Sequence, residues 1–544
     1  MRNLISLICI FLFVSPVYAQ FCDPPGEFVG ETGYPVQSSG VAANRIAYDS
    51  RGGVHITWMS GTSIFERGVA FNFRDETGMW VSSNGLPVNE VNGAGYPTVA
   101  LTSDDAAAIA YHNMSNGYIN LAVDAFRGMG IFEFYDPPDN MPGGNSAFWP
   151  QVAISTNGDI HIIMVEHTQE QGEYPSILYT RSENGGSTWT DPVVVADVAL
   201  LNGIITASSD GKVAILFLNP VISGEFSQVK NDVCYFESSD GRDWNFRDTN
   251  FITDYGNDEQ EIYCPWGFDA VYDNEGNLNA TWVTGHIDDD GYFVDEVTKL
   301  WHYSEDVGRI NRIAESSDEL LDCMYGAVTL PISVPSISIG TYPDSEVETI
   351  QVTYIGLDET DASAEGECMG DIYIVYGWDN GHIWEGPHNL TETHSPDCSP
   401  GDCLSENFAS SAEAISDSVH LTYVMQKRGE DVIDTIYYMP VAIPEATGVQ
   451  DDEDRVPESF SLLGNYPNPF NAATTIEFEL LENSDVKLAI YDITGALVEI
   501  LHDGYLESGS QSIAWTTGDA ASGAYFYKLA TAEGSRVRKM VLLK

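Results

Sequence analysis

Apolar and polar residues alternate along the chain between about residues 30 and 440. Short runs rich in Val, Ile, Tyr and Trp stand between turns of Gly, Asp and Asn. A period of two marks half-buried strands, and helical periodicity is almost absent. The runs also repeat. A polar turn followed by an alternating strand with a large apolar end occurs in DSRGGVHITW, TSDDAAAIAY, STNGDIHIIM, ASSDGKVAILF, DNEGNLNATW, SEVETIQVTY and ISDSVHLTY. These end at Trp58, Tyr111, Met164, Phe217, Trp282, Tyr354 and Tyr423. The first three intervals are each 53 residues, and the next are 65, 72 and 69, with the excess in polar loops. A repeat of this length holding about four strands predicts a propeller blade. One blade cannot bury both its faces, whereas neighbours in a ring can. The expected fold is therefore all-β, a seven-bladed β-propeller over residues 25–443. The segment GEFVGETGYPVQ, residues 26–37, is placed to supply the strand that closes the ring.

A second polar turn recurs downstream of the strand ends. SENGGSTW ends at Trp189, SSDGRDW at Trp244 and GWDNGHIW at Trp384, with looser forms in RDETGMW, SEDVGRIN and VDAFRGMGIF. These turns resemble the Asp-box, Ser-x-Asp-x-Gly-x-Thr-Trp, of sialidases and other propeller proteins. Ser182, Asn184, Gly186, Thr188 and Trp189 match, with Asn184 in the Asp place. Asp240 and Trp244 match in the second turn, and Asp379, Gly381 and Trp384 in the third, where Gly377 replaces Ser and Ile383 replaces Thr. The resemblance implies a hairpin between the third and fourth strands of a blade. Short polar side chains there bond the turn backbone, glycine takes positive φ, and the Trp packs between blades.

Composition shifts after about Val441. Residues 444–458 read as a Pro- and acid-rich linker. Alternating runs then fall at 460–463, 474–480, 485–492, 497–502, 511–516, 524–531 and 535–543, which predicts a small Ig-like β-sandwich over 459–544. YPNPFN at 466–471, IYDITGALV at 490–498, SGAYFYKL at 522–529 and the terminal RVRKMVLLK resemble the C-terminal sorting domain of type IX secretion cargo. That resemblance implies contact with the type IX machinery and export to the medium or the outer cell surface. The opening residues fit this route. Arg2, the apolar run Leu4–Val14 and Val17-Tyr18-Ala19 read as a signal peptide over 1–19. No other run approaches transmembrane length.

Charge narrows the partners. The 544 residues hold 23 Lys and Arg against 82 Asp and Glu, a net charge of −59. This excludes nucleic acid, which needs basic surface, and disfavours anionic membranes and polyanionic glycans. Such a shell keeps a protein soluble; scattered calcium binding is the sharper alternative. Asp288, Asp290 and Asp295 in DDDGYFVDE are the candidate calcium ligands, against a solvated acidic loop. Of the eight cysteines, Cys9 leaves with the signal. Cys398 and Cys403 flank the turn-forming SPGD and suit a local bridge. Cys234 with Cys264, and Cys323 with Cys368, are pairings by order alone.

Catalytic motifs are missing: there is no HExxH, GxSxG or phosphate loop. Sialidase chemistry needs three converging arginines, a Tyr–Glu nucleophile pair and an Asp. The region 30–440 has only 11 arginines, and Arg242 and Arg309 fall in box-like turns. Arg45, in NRIAY, resembles that family's Arg-Ile-Pro with Ala47 for Pro. His55, His161 and His420 share one repeat position with Asn279 and Gln351; they read as buried hydrogen-bonding groups rather than a ring of metal ligands. No catalytic residue is assigned. The expected function is binding of a glycan or protein on one propeller face, shaped by the insertions 219–232, 284–298 and 356–370. The alternative is a secreted glycoside hydrolase of the sialidase-like Asp-box group.

Overall fold

The computed structural model describes residues 24–443 and 460–542, apart from 35, 39–42, 64–65, 90–92, 139–140, 143, 168–174, 197–202, 221–230, 256–262, 287–296, 317–329, 342–347, 379, 400, 428–431, 467–469, 481–482, 493–496, 507, 519, 521–522 and 532–533. The predicted signal peptide, the linker 444–458, Asp379 and the candidate calcium ligands Asp288, Asp290 and Asp295 lie outside the described residues. The chain divides into two units, Met1–Ile443 and Pro444–Lys544.

Among the described residues every regular element is a strand. In the first unit they form seven four-stranded antiparallel sheets among the described residues. Sheet 1 is Ile46–Tyr48, Val54–Ser60, Gly68–Arg74 and Leu86–Pro87. Sheet 2 is Ala94–Leu101, Ala107–Asn113, Tyr118–Asp124 and Phe132–Tyr135. Sheet 3 is Ser146–Ile154, Ile160–His167, Ser176–Ser182 and Val193–Ala196. Sheet 4 is Ile204–Ala207, Val213–Pro220, Asn231–Ser238 and Asn250–Phe251. Sheet 5 is Tyr263–Tyr272, Leu278–His286, Lys299–Ser304 and Arg309–Glu315. Sheet 6 is Ile332–Thr341, Glu348–Ala362, Cys368–Trp378 and Ile383–Asn389. Sheet 7 is Ser405–Ser411, Ser418–Gln426 and Asp434–Ala442, with Glu27–Thr32 from the start of the chain as its outermost strand.

All seven repeat ends named above fall in second strands, and all are buried. They sit between sheets. First strands of consecutive sheets pack together, and the first strand of sheet 1 meets sheet 7. Apolar clusters fill each junction: Phe71 with Tyr111 between sheets 1 and 2, Leu216 with Trp282 between sheets 4 and 5, Ile56 with Tyr438 between sheets 7 and 1. The core is thus a cycle of inter-sheet layers. Stacked sheets that alternate apolar with polar residues bury both faces only against two neighbours.

The second unit has two antiparallel sheets. One joins Phe460–Tyr466, Ala473–Leu480 and Gly509–Thr516. The other orders Leu497–Leu506, Ser484–Asp492, Gly523–Thr531 and Gly534–Leu542. Its core includes Phe478, Leu488, Trp515, Tyr527, Leu529 and Met540.

Candidate functional site

Chain direction divides the seven-sheet unit into two ends. At one end, here the mouth, first strands begin and second strands turn into third strands. The predicted insertions are all second-to-third connections and therefore share the mouth. Residues 221–230 and 287–296 within them lie outside the described residues. The third insertion, 356–370, is a correction to the expected loop. It is a continued hairpin, with Glu348–Ala362 paired to Cys368–Trp378 as far as Ala362↔Cys368. Pairing satisfies backbone groups that a long buried loop would leave open.

A shared irregularity shapes the mouth. Five first strands slip register near their start: between Gly95 and Thr98, Phe148 and Gln151, Pro265 and Phe268, Ser333 and Ser336, and Asn407 and Ser410. The extra residue takes a left-handed conformation, with φ of 50° at Tyr96, 52° at Trp149, 89° at Gly267, 49° at Val334 and 52° at Phe408. For a β-branched residue such as Val334 this conformation is strained, at a cost of about 1–3 kcal/mol. Pro97, Pro150 and Pro335 follow three of these residues, and proline suits a bulge because it has no ladder N–H to offer. Bulges re-aim side chains. Here they bring half-buried Tyr96, Phe148, Trp149 and Phe408 to the mouth.

Arg67, where the third strand of sheet 1 begins, sits under this rim. It is 2% exposed. Its guanidinium lies 4.9 Å from the Tyr34 ring centroid and 5.0 Å from that of Tyr96. Nη2 donates to His112 Nε2 at 2.9 Å, and Nε and Nη1 have no hydrogen-bond partner among the described residues. Burial, with the Arg67 charge second, pulls His112 down to about 3, so its imidazole is neutral. A guanidinium removed from water is costly unless paired, and a ring face returns only about 0.5–2 kcal/mol. Gly95 makes room: a Cβ there would lie 2.8 Å from Arg67 Nε and 2.9 Å from Met59 Sδ. Tyr96 rings His112 at 5.2 Å and Trp149 at 6.3 Å. Arg45, nearby in the chain, is also buried; its Nη2 donates to the Phe408 carbonyl, and burial lowers it to about 9. Sequence reasoning singled out Arg45 but missed Arg67 and the rim. The recurring Tyr-Pro, Trp-Pro, Trp-Gly and Val-Pro pairs before the second strands were the available signal.

The box-like turns lie at the opposite end. Ser182 Oγ accepts from Gly186 N at 2.8 Å, and Asn184 Oδ1 from Thr188 N at 2.8 Å. Asp240 Oδ1 accepts from Arg242 N and Asp243 N. In all three turns the Trp indole donates to a glycine carbonyl three residues back: Trp189 to Gly186, Trp244 to Gly241 and Trp384 to Gly381, at 2.9, 3.2 and 2.8 Å. Two of those carbonyls also accept from the preceding sheet, Gly241 from Tyr179 Oη at 2.9 Å and Gly381 from Asn311 at 3.1 Å. The turns therefore stitch neighbouring sheets, and they stand away from the mouth.

The repeated histidines are tied inside their sheets. His55 Nε2 meets Asp49 at 3.0 Å, His161 meets Ser155 and Tyr179, and His420 meets Tyr438 at 2.7 Å. Asn279 accepts from His302 at 3.1 Å, and Gln351 is buried. No group of three or more His, Cys, Asp or Glu suited to a metal occurs among the described residues. The Cys398–Cys403 bridge is present, with Cα atoms 5.1 Å apart. Cys368 is also disulfide-bonded, while Cys323 lies outside the described residues. The Cys234–Cys264 pairing is corrected: Cys234 is a free buried thiol packed with Phe236 and Ile163 in the layer between sheets 3 and 4.

Two carboxyls lie deep in the ring. Burial pushes Asp269 up to about 7 and Glu413 up to about 8; Asp269 is buried and Glu413 half-buried. Glu413 accepts from Asn44 at 2.7 Å beside a cavity of about 160 Å³. A carboxyl raised in the folded state stabilises fully below its unfolded value and loses that contribution as pH rises toward the folded one. For Glu413 the window runs from 4.5 to about 8. Stability should fall there by up to about 1.4 kcal/mol per pH unit from this group. Glu413→Gln, which keeps the acceptor for Asn44, should flatten the slope; denaturant midpoints at pH 5 to 8 check it, and parallel curves would refute the assignment.

Comparisons place these features. Residues 465–543 match the secretion system C-terminal sorting domain, so the second unit carries a type IX sorting domain. No curated protein matches the chain. Among solved structures, a PL25 ulvan lyase bound to -[GlcA(1-4)Rha3S]- superposes with a TM-score of 0.50 at 12% identity, over 77% of this chain and 96% of that one. PorZ, a type IX surface component of Porphyromonas gingivalis, reaches 0.36 at 13% identity over 94% of this chain and 61% of its own. A GH93 α-L-arabinofuranosidase of Fusarium graminearum reaches 0.39 at 10% over 63% and 92%. At such identities the lyase shows the fold alone. The protein is an all-β, propeller-like chain with a type IX sorting domain that directs it to the cell surface or beyond.

Proposed function

We propose that the chain is an exported seven-bladed propeller, with Asp-box turns at one end and an Ig-like sandwich as sorting domain, whose mouth binds a glycan. One observation carries the reading. Four non-glycine residues hold a strained left-handed conformation at the same place in four sheets, and three of them are aromatic. Strain repeated at one level marks a built surface, and flat rings beside hydrogen-bonding groups suit sugar rings. The polysaccharide lyase that shares the fold supports a saccharide over a protein ligand.

A catalytic reading has one observation in its favour. His112 is a neutral imidazole against a guanidinium, the state a general base needs. The buried couple Asp371 and Glu406 offers less. Both are sealed, at 5% and 0% exposure, under Thr393. Calcium remains a proposal attached to 288–295.

A glycan array run beside a panel of chromogenic glycosides, with and without calcium, tests both readings. Saturable binding without turnover is expected. Trp149→Ala and Tyr96→Ala should each weaken it about tenfold, equal to about 1.4 kcal/mol. Binding indifferent to both changes would remove the mouth from consideration. Turnover lost in His112→Gln would replace binding with catalysis.

A further inference from the structure

Among the described residues Arg67 has no carboxylate partner, the kind this composition offers most freely. Six other arginines pair with carboxylates: Arg51 with Asp105, Arg74 with Glu27, Arg127 with Asp49, Arg181 with Glu183, Arg242 with Asp159 and Arg312 with Glu315, all within 2.9 Å. With 82 acidic against 23 basic residues, a buried arginine without one is uncommon; Arg45 is another, and it reaches the Phe408 carbonyl. Arg67 is nonetheless buried, and its surroundings supply two ring faces, a neutral imidazole and the Met114 sulfur at 3.7 Å. None of these carries a negative charge. Nε and Nη1 are left with unfilled N–H groups.

We infer that Arg67 is the seat of a carboxylate, the acid group of a sugar acid within the glycan proposed above. The inference rests on that reading for its glycan but not for its anion. Each of the unfilled N–H groups, on Nε and Nη1, can donate a charge-assisted hydrogen bond to a carboxylate oxygen, and desolvation at the site strengthens the attraction. The net charge of −59 does not forbid this. Long-range repulsion is screened beyond about 8 Å at physiological salt, whereas the contact is local. Repulsion instead selects glycans whose acid groups are sparse. The half-buried Tyr34 ring covers one face of the guanidinium. Its backbone is held, with Tyr34 N donating to Thr32 Oγ1 at 3.0 Å and Tyr34 O accepting from Gln37 at 2.7 Å. Rotation of this ring is the movement that the inference requires.

The test titrates the full chain with three probes: a neutral oligosaccharide, the same oligosaccharide carrying one uronate, and free hexuronate. The uronate form should bind at least tenfold more tightly than the neutral one. Arg67→Lys should reduce that ratio, and Arg67→Met should bring it near one. Tyr34→Ala should raise affinity for the uronate form. A wild-type ratio of one, with both oligosaccharides bound, overturns the anion seat and leaves the glycan reading standing. Free hexuronate bound through Arg67, with neither oligosaccharide bound, does the reverse. Should Arg67→Met fail to fold, Arg67→Lys and Tyr34→Ala decide: an unchanged ratio in both overturns the inference.

Discussion

Removing residues 459–544 stops export. The truncated chain remains with the cell, and the extracellular amount falls to background. The sorting match covers 465–543. That unit has its own core, with Ile476, Phe478, Leu488 and Leu529 buried, so it can act as a separable address. The seven-sheet unit keeps its own inter-sheet layers and should stay folded without it. A point change grades the effect. Trp515 is 1% exposed, donates to Glu499 at 3.0 Å and packs on Phe470 and Tyr525. Trp515→Ala should cost about 3–5 kcal/mol, a large share of the roughly 5–15 kcal/mol that holds a domain. Export of this variant should drop in parallel. Immunoblots of medium and cells measure both. Wild-type amounts of the truncated chain in the medium would contradict the role of the domain.

The second large effect concerns Glu27–Thr32. This strand pairs with Asp434–Ala442 and ties sheet 7 to sheet 1. Trp58, 1% exposed, donates to the Glu31 carbonyl at 3.2 Å, and a Cβ on Gly30 would strike its ring. Glu27 meets Arg74 at 2.7 Å, and the Tyr423 hydroxyl donates to the Pro25 carbonyl. Trp58→Ala should cost about 3–5 kcal/mol. Gly30→Val should also destabilise strongly, because the blocking atoms belong to a rigid buried ring. Urea unfolding of purified protein is the measurement; a Gly30→Val midpoint equal to wild type would show that the strand does not hold the junction as described.

Much of the architecture was legible because it is local. Each strand end such as Trp282 or Tyr423 sits in a short alternating run, and each turn such as 182–189 closes through its own side chains. The Cys398–Cys403 bridge spans a few residues and was readable from its turn. Cys234 misled because chain order says nothing about which face of a strand points into a layer. The candidate site was barely legible. Arg67, Tyr96, His112 and Trp149 come from three sheets; Tyr96 and Trp149 stand one 53-residue repeat apart, but no spacing ties that pair to Arg67 and His112. Their proximity follows from bulges whose only trace was an apolar residue before Pro or Gly.

By itself, the sequence determined the strand class, the repeat, the polar turns and the sorting address, since all of these depend on side-chain periodicity or contiguous motifs. Tertiary structure alone decided which end of the sheets forms the mouth, which residues turn left-handed there, and which arginines are buried without a carboxylate. Those are properties of neighbours that lie far apart in the chain, set when adjacent sheets exclude water from the layer between them.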